Sequence, residues 1–100
     1  MTYLDGKNFD EFIRNNKKVV IDFFASWCAP CRALSPVFEE VSSKIDGCVF
    51  AKVDVDKAEK LALTLGVNTI PTILIFENGK LVDRHTGYLS SDDLVDFIGE

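Results

Sequence analysis

Histidine, tryptophan and methionine each occur once in this chain of 100 residues, and there are three cysteines, three prolines and six glycines. Each shortage excludes something. With little Pro or Gly there is no low-complexity tract, and no internal repeat is present, so a linker or a solenoid array is not what this chain encodes. There is no second Cys-x-x-Cys, and Cys48 and His85 are the only soft ligands beyond Cys28 and Cys31. A four-ligand structural zinc site is therefore disfavoured, and no metal is expected. Basic residues are outnumbered, with 11 Lys and Arg against 16 Asp and Glu, a net charge of −5. Such a chain gains no counterion-release energy on nucleic acid, so no nucleic-acid partner is expected. No long hydrophobic run exists either. The apolar stretch 19–25 is too short to span a bilayer and contains Asp22, so no membrane partner is expected. The opening Met1-Thr2-Tyr3-Leu4-Asp5 has neither a basic nor an apolar leader segment, which makes the cytoplasm the expected compartment. Structural disulfides are rare there, so a close pair of cysteines reads as chemistry before it reads as a staple.

What is present is an ordinary globular composition, 47% apolar and 27% charged. That length fits one domain over 1–100, a monomer, with a core large enough to need no covalent support. Asn8 and Glu11 have capping-box spacing ahead of a first helix that turns Phe9, Phe12 and Ile13 inward. Residues 18–25 read as a strand whose near-continuous apolar character implies burial on both faces. Leu34, Val37, Phe38, Val41 and Ile45 keep one face of a following helix, with Pro30 in its first turn, Pro36 expected to kink it and Gly47 expected to end it. A second long strand spans 49–55, and Asp56 is expected to cap a short helix that Gly66 stops. A third strand covers 72–76. Asn78-Gly79 is a hairpin signal into a strand over 80–88, and Ser90 opens a last amphipathic helix with Leu94, Val95, Phe97 and Ile98. A short strand is expected at 2–4. The order β-α-β-α-β-α-β-β-α implies an α/β fold: a mixed central sheet flanked by helices on both faces.

Trp27-Cys28-Ala29-Pro30-Cys31 is the segment that carries chemistry. It lies between the apolar strand and the helix, so one thiol sits at a helix N-terminus, where partial positive charge favours thiolate. The second thiol is one turn on and can close a ring, which suggests disulfide exchange. Cys28, ahead of the helix, is expected to be exposed and to attack; Cys31, one turn inside, is expected to resolve. Asp22 is a carboxylate inside an apolar strand. Either it is tolerated at a strand end, or it is buried, with a raised pKa suited to a general base; the second reading is favoured. Lys52 lies near it or is a snorkelling surface charge, two readings of equal weight. Cys48 reads as a small buried hydrophobe, and His85 as a solvated strand residue.

The chain resembles the thioredoxin family nearly end to end. Asp22-Phe23-Phe24-Ala25-Ser26-Trp27-Cys28-Ala29-Pro30-Cys31-Arg32 resembles that family's active-site segment, and Ala51-Lys52-Val53-Asp54-Val55-Asp56 its middle strand. Ile70-Pro71-Thr72 resembles its cis-proline loop, followed in order by Asn78-Gly79 and Gly87. Ala29 stands where the family usually has Gly, and Phe24 where it often has Trp. The resemblance implies the thioredoxin fold and a protein-disulfide reductase whose only redox group is the Cys28–Cys31 disulfide, with no bound cofactor. It implies oxidised protein substrates and a thioredoxin reductase as electron donor. It also implies a catalytic group of Cys28, Cys31, Asp22 and Lys52, with Asp22 moving the Cys31 proton. The implied substrate surface is Trp27, Ala29, Pro30, Ile70, Pro71 and Gly87. There the backbone at Ile70 pairs with an extended substrate, and Gly87 either admits substrate closely or relieves backbone strain. Two other readings remain. One is an oxidase or isomerase of the same fold, disfavoured because Ala29-Pro30 brings no charge to the thiolate. The other is a binding module, which the intact thiols do not suggest.

Overall fold

The structure is a computed structural model and describes residues 1–99. Among these the elements run β1 (Thr2–Leu4), α1 (Phe9–Asn15), β2 (Lys18–Phe24), α2 (Ala29–Lys44), β3 (Val49–Asp54), α3 (Glu59–Thr64), β4 (Thr72–Glu77), β5 (Lys80–Thr86) and α4 (Ser91–Ile98). The strands form one sheet in the order β1-β3-β2-β4-β5. β1 and β2 both pair parallel with β3, whereas β4 runs antiparallel to β2 and β5 antiparallel to β4. The mixed sheet implied by the element order is therefore present, with β2, read from the sequence as buried on both faces, at its centre.

Alternation along β2 divides the core. Val19, Ile21 and Phe23 join Phe9 and Ile13 of α1, Ala62 of α3, and Leu74 and Phe76 of β4 in one buried cluster. Val20 joins Leu34, Phe38 and Val41 of α2, Ile73 and Ile75 of β4, and Leu94 and Ile98 of α4 in the other. Edge-to-face ring pairs lock each layer: Phe9 on Phe76 and Phe38 on Phe50, both with centroids 5.4 Å apart. Asp22 has the parity of Val20, so it points to the α2 side.

Element ends depart from the sequence reading where short polar side chains had more than one backbone group to satisfy. Asn8 precedes α1, but no capping box with Glu11 forms. Its Oδ1 accepts from Asp5 N–H at 2.7 Å, while Asp5 Oδ1 accepts from Lys7 and Asn8 N–H. α3 begins after Ala58 rather than Asp56, because Asp54 closes a turn first, its Oδ1 accepting from Asp56 N–H at 3.0 Å. α2 ends at Lys44, ahead of Gly47, and it runs through Pro36 without a break, that ring lying on the exposed face. Ser90 does cap α4, accepting from Asp93 N–H at 3.2 Å. The hairpin is as expected, with Asn78 and Gly79 both at positive φ, 54° and 80°. β5 stops at Thr86 rather than reaching Tyr88. His85 is half-buried with its ring tilted over Phe97, centroids 5.7 Å apart, instead of being solvated. Cys48 is half-buried and packs against the α2/α4 layer.

Candidate active site

The turn from β2 into α2 builds the thiol site. Ala25 is buried, and its carbonyl accepts from Cys28 N–H at 3.2 Å, which bends the chain out of the sheet. Cys28 is the N-cap of α2, in extended conformation, and its Sγ accepts from Cys31 N–H at 3.3 Å. Sulfur thus takes the place of the oxygen that usually satisfies a first-turn N–H. Its charge, once reduced, falls on the positive end of a 16-residue helix. Ala29 and Pro30 fill the first two helical positions, both exposed, and the missing N–H of Pro30 leaves no helical bond unmade. Arg32 steadies the turn by donating to the Ser26 carbonyl at 3.1 Å.

Cys28 and Cys31 are joined in a disulfide, with Cα atoms 5.2 Å apart. Cys31 is 2% exposed and Cys28 only 6%, so the expectation of an exposed Cys28 is corrected. The cause is the packing of both cysteines with Ala25, Phe24, Val55 and Ile70. The Ile70 carbonyl oxygen lies 4.0 Å from Cys28 Sγ although the two residues are 42 positions apart.

The Ile70–Pro71 bond is cis. Two contacts fix the loop beyond it: the Pro71 carbonyl accepts from Gly87 N–H at 2.8 Å, and the Thr72 hydroxyl donates to the Thr69 carbonyl. Gly87 has φ +103°, a conformation that strains any residue with a Cβ, and a Cβ there would meet nothing within 4 Å. Its backbone conformation, not crowding within the chain, calls for glycine. Trp27 is 68% exposed, and its indole N–H donates to Asp56 at 2.8 Å.

Asp22 is fully buried, and neither carboxylate oxygen has a hydrogen-bond partner. Burial pushes its carboxyl up to about 7, against a smaller opposing pull from the Lys52 charge. Lys52 is the register partner of Asp22 on β3 and is 3% exposed, so the snorkelling reading is overturned. Its ammonium does not hydrogen-bond Asp22. It donates to Ser35 Oγ and pairs with Glu39 at 3.3 Å, both on α2, and lies 5.3 Å from the Phe24 ring centroid. Ser35 and Glu39 have no part in the sequence reading, and Asp56 enters it as a helix cap, not as a site residue. The i, i+4 spacing of Ser35 and Glu39 was a visible signal; nothing local linked Asp56 to Trp27. Among the described residues, no group of three or more His, Cys, Asp or Glu side chains is placed to hold a metal ion.

Residues 1–100 match the Thioredoxin family model. A thioredoxin of Mycoplasmoides gallisepticum is 39% identical over 99 residues, covering 98% of this chain and 99% of that protein. A thioredoxin of Chlamydia caviae is 38% identical over 97% of this chain and 94% of its own length. Fasciola hepatica thioredoxin, solved by X-ray, matches with a TM-score of 0.91 at 38% identity, over 98% of this chain and 96% of its own. Sequence and fold thus match proteins of one kind along the whole length: this chain belongs to the thioredoxin family and is a thiol-disulfide reductase.

Proposed function

We propose that Cys28 is the attacking thiolate, Cys31 the resolving thiol and Asp22 the base that serves it. The observation that carries this is the position of Cys28 Sγ on the first-turn N–H of α2, with Cys31 deeper in the fold. In the reduced protein the Cys28 thiolate attacks one sulfur of a target disulfide. A mixed disulfide forms and the other target sulfur leaves as thiolate. Asp22, ionised, takes the Cys31 proton. The Cys31 sulfur then attacks Cys28 Sγ, the Cys28–Cys31 bond closes, and the target's second sulfur departs with the electron pair. Two electrons have passed to the target, and a partner reductase returns them.

Family membership implies disulfide-containing protein substrates and such a reductase. In the finer reading residues 1–100 act as one monomeric domain in the cytoplasm, fed by a thioredoxin reductase, with no bound cofactor because sulfur itself carries the electrons. No helix among the described residues is long and apolar enough to cross a membrane. Substrate docks across Trp27, Ala29, Pro30, Ile70, Pro71 and Gly87, an extended segment pairing with the Ile70 backbone as in strand addition. Lys52 moderates the charge on Asp22 from its bonds on α2.

Insulin reduction tests the assignment. Cys28→Ser is expected to abolish turnover, and Cys31→Ser to attack normally but accumulate a covalent mixed disulfide visible by mass. Near-normal turnover by Cys28→Ser overturns it.

A further inference from the structure

One cation outside the thiol site bonds to backbone in a way the exchange chemistry does not use. The Arg84 guanidinium, on β5, donates through Nη2 to the Leu65 carbonyl at 2.7 Å and through Nη1 to the Gly66 carbonyl at 3.1 Å. Leu65 is the C-cap of α3, so its carbonyl is one a helix end leaves without a donor, and the Gly66 carbonyl is the next along the chain. Gly66 follows at φ +71°, and a Cβ built on it would lie 3.8 Å from Arg84 Nη2. The fork therefore seats against the turn that starts the chain on its way from α3 to Ile70.

The far end of the same loop is also held by the β5 side of the sheet. Gly87 N–H bonds the Pro71 carbonyl at 2.8 Å, and the Thr86 and Thr72 hydroxyls are 3.5 Å apart. Between these anchors Val67 is buried, its N–H on the Ala62 carbonyl at 2.9 Å, while Asn68 and Thr69 are exposed and Ile70 is half-buried. Arg84 itself is exposed, so its bonds contribute little to global stability. Their geometric place matters more: they fall where the loop leaves α3, on its way to the Ile70 backbone beside Cys28.

We infer that Arg84 is a positioning residue for substrate docking, clamping the 66–71 loop so that the Ile70 backbone is preset to receive an extended protein disulfide. This rests on the reading that substrates pair with that backbone. A small disulfide that reaches Cys28 without pairing does not need the clamp. Steady-state kinetics of Arg84→Ala, Arg84→Lys and Pro71→Ala with insulin and with neutral bis(2-hydroxyethyl) disulfide separate the cases. Both Arg84 variants are expected to raise KM for insulin about five-fold, with kcat and the small-disulfide rate near wild type. Lysine keeps the charge and loses the fork, so a wild-type KM in Arg84→Lys overturns the clamp; that variant also decides the matter if Arg84→Ala does not fold. Equal losses on both substrates overturn it too. If Pro71→Ala raises KM for insulin and the Arg84 variants do not, the inference fails and the docking reading stands. If Pro71→Ala leaves KM unchanged, both fall.

Discussion

In the proposed mechanism, Asp22 is where function costs this chain stability. A carboxyl held at about 7 in the folded protein, against 3.8 as its ordinary value, binds its proton more tightly when folded. Its titration therefore opposes folding as pH rises from about 4 to about 7, fully so above that, with a ceiling on the order of 4 kcal/mol. Asp22→Ala is expected to be more stable than wild type at pH 8, by less than that ceiling because of the space it leaves. At pH 4, where the folded carboxyl is neutral, that gain is expected to be gone, leaving the variant less stable than wild type by the cost of the space alone, and it should be slower in resolving a mixed disulfide. Urea melts at both pH values check the sign; an equal difference at both removes the buried-charge account. The residues to which the proposed mechanism assigns chemistry were legible in the sequence at this scale. A carboxylate in an apolar run and two thiols three apart are local facts. The destination of Lys52 was not local: its bonds go to Ser35 and Glu39, 17 and 13 positions away. The same holds for Trp27 and Asp56, 29 positions apart. A pattern along one element cannot say which polar group a neighbouring element will bring.

Elements with a strong hydrophobic period were legible, and their ends were not. β2, α2 and α4 lie where a near-continuous apolar run or a single apolar face placed them. The α1 start at Asn8 was right but its capping box did not form, and the α3 start at Asp56 failed, because several Asp and Asn side chains compete there for the same few N–H groups and the tightest turn wins. The start of α2 tests how much such an end matters to chemistry. Ala29 adds a methyl group beside Cys28 without adding charge, and it sits at the first helical position, exposed. Glycine there loses some helix propensity, less than the interior value of about 1 kcal/mol. Ala29→Gly is therefore expected to keep the fold and shift the Cys28–Cys31 potential by less than about 30 mV, roughly 1.4 kcal/mol for this two-electron couple. Equilibration of both proteins with a glutathione or dithiothreitol buffer measures it. A larger shift would mean that the side chain at 29 tunes the thiolate beyond what the helix end supplies.

The molecule as a whole is two apolar layers sharing one sheet, and Phe38 ties the α2 layer to β3 through its ring pair with Phe50. Phe38→Ala is expected to cost about 3–5 kcal/mol, a large share of the roughly 5–15 kcal/mol that holds a domain of this size together. A urea midpoint well below wild type at unchanged m-value reads that out, and an unchanged midpoint would show that the layer repacks freely. The topology was legible to the extent that βαβ units demand parallel pairs and Asn78-Gly79 demands a hairpin; that β2 sits between β3 and β4 became explicit only in the structure. That placement has a temporal side. The central strand comes early in the chain and both its neighbours come later, and Ile70 follows Cys28 by 42 positions. At about 5–20 residues added per second, a growing chain carries both thiols for roughly 2–8 s before the residue that covers them exists. The active site is therefore a late product of translation, completed only when the loop that carries Ile70 is added to thiols made well before it.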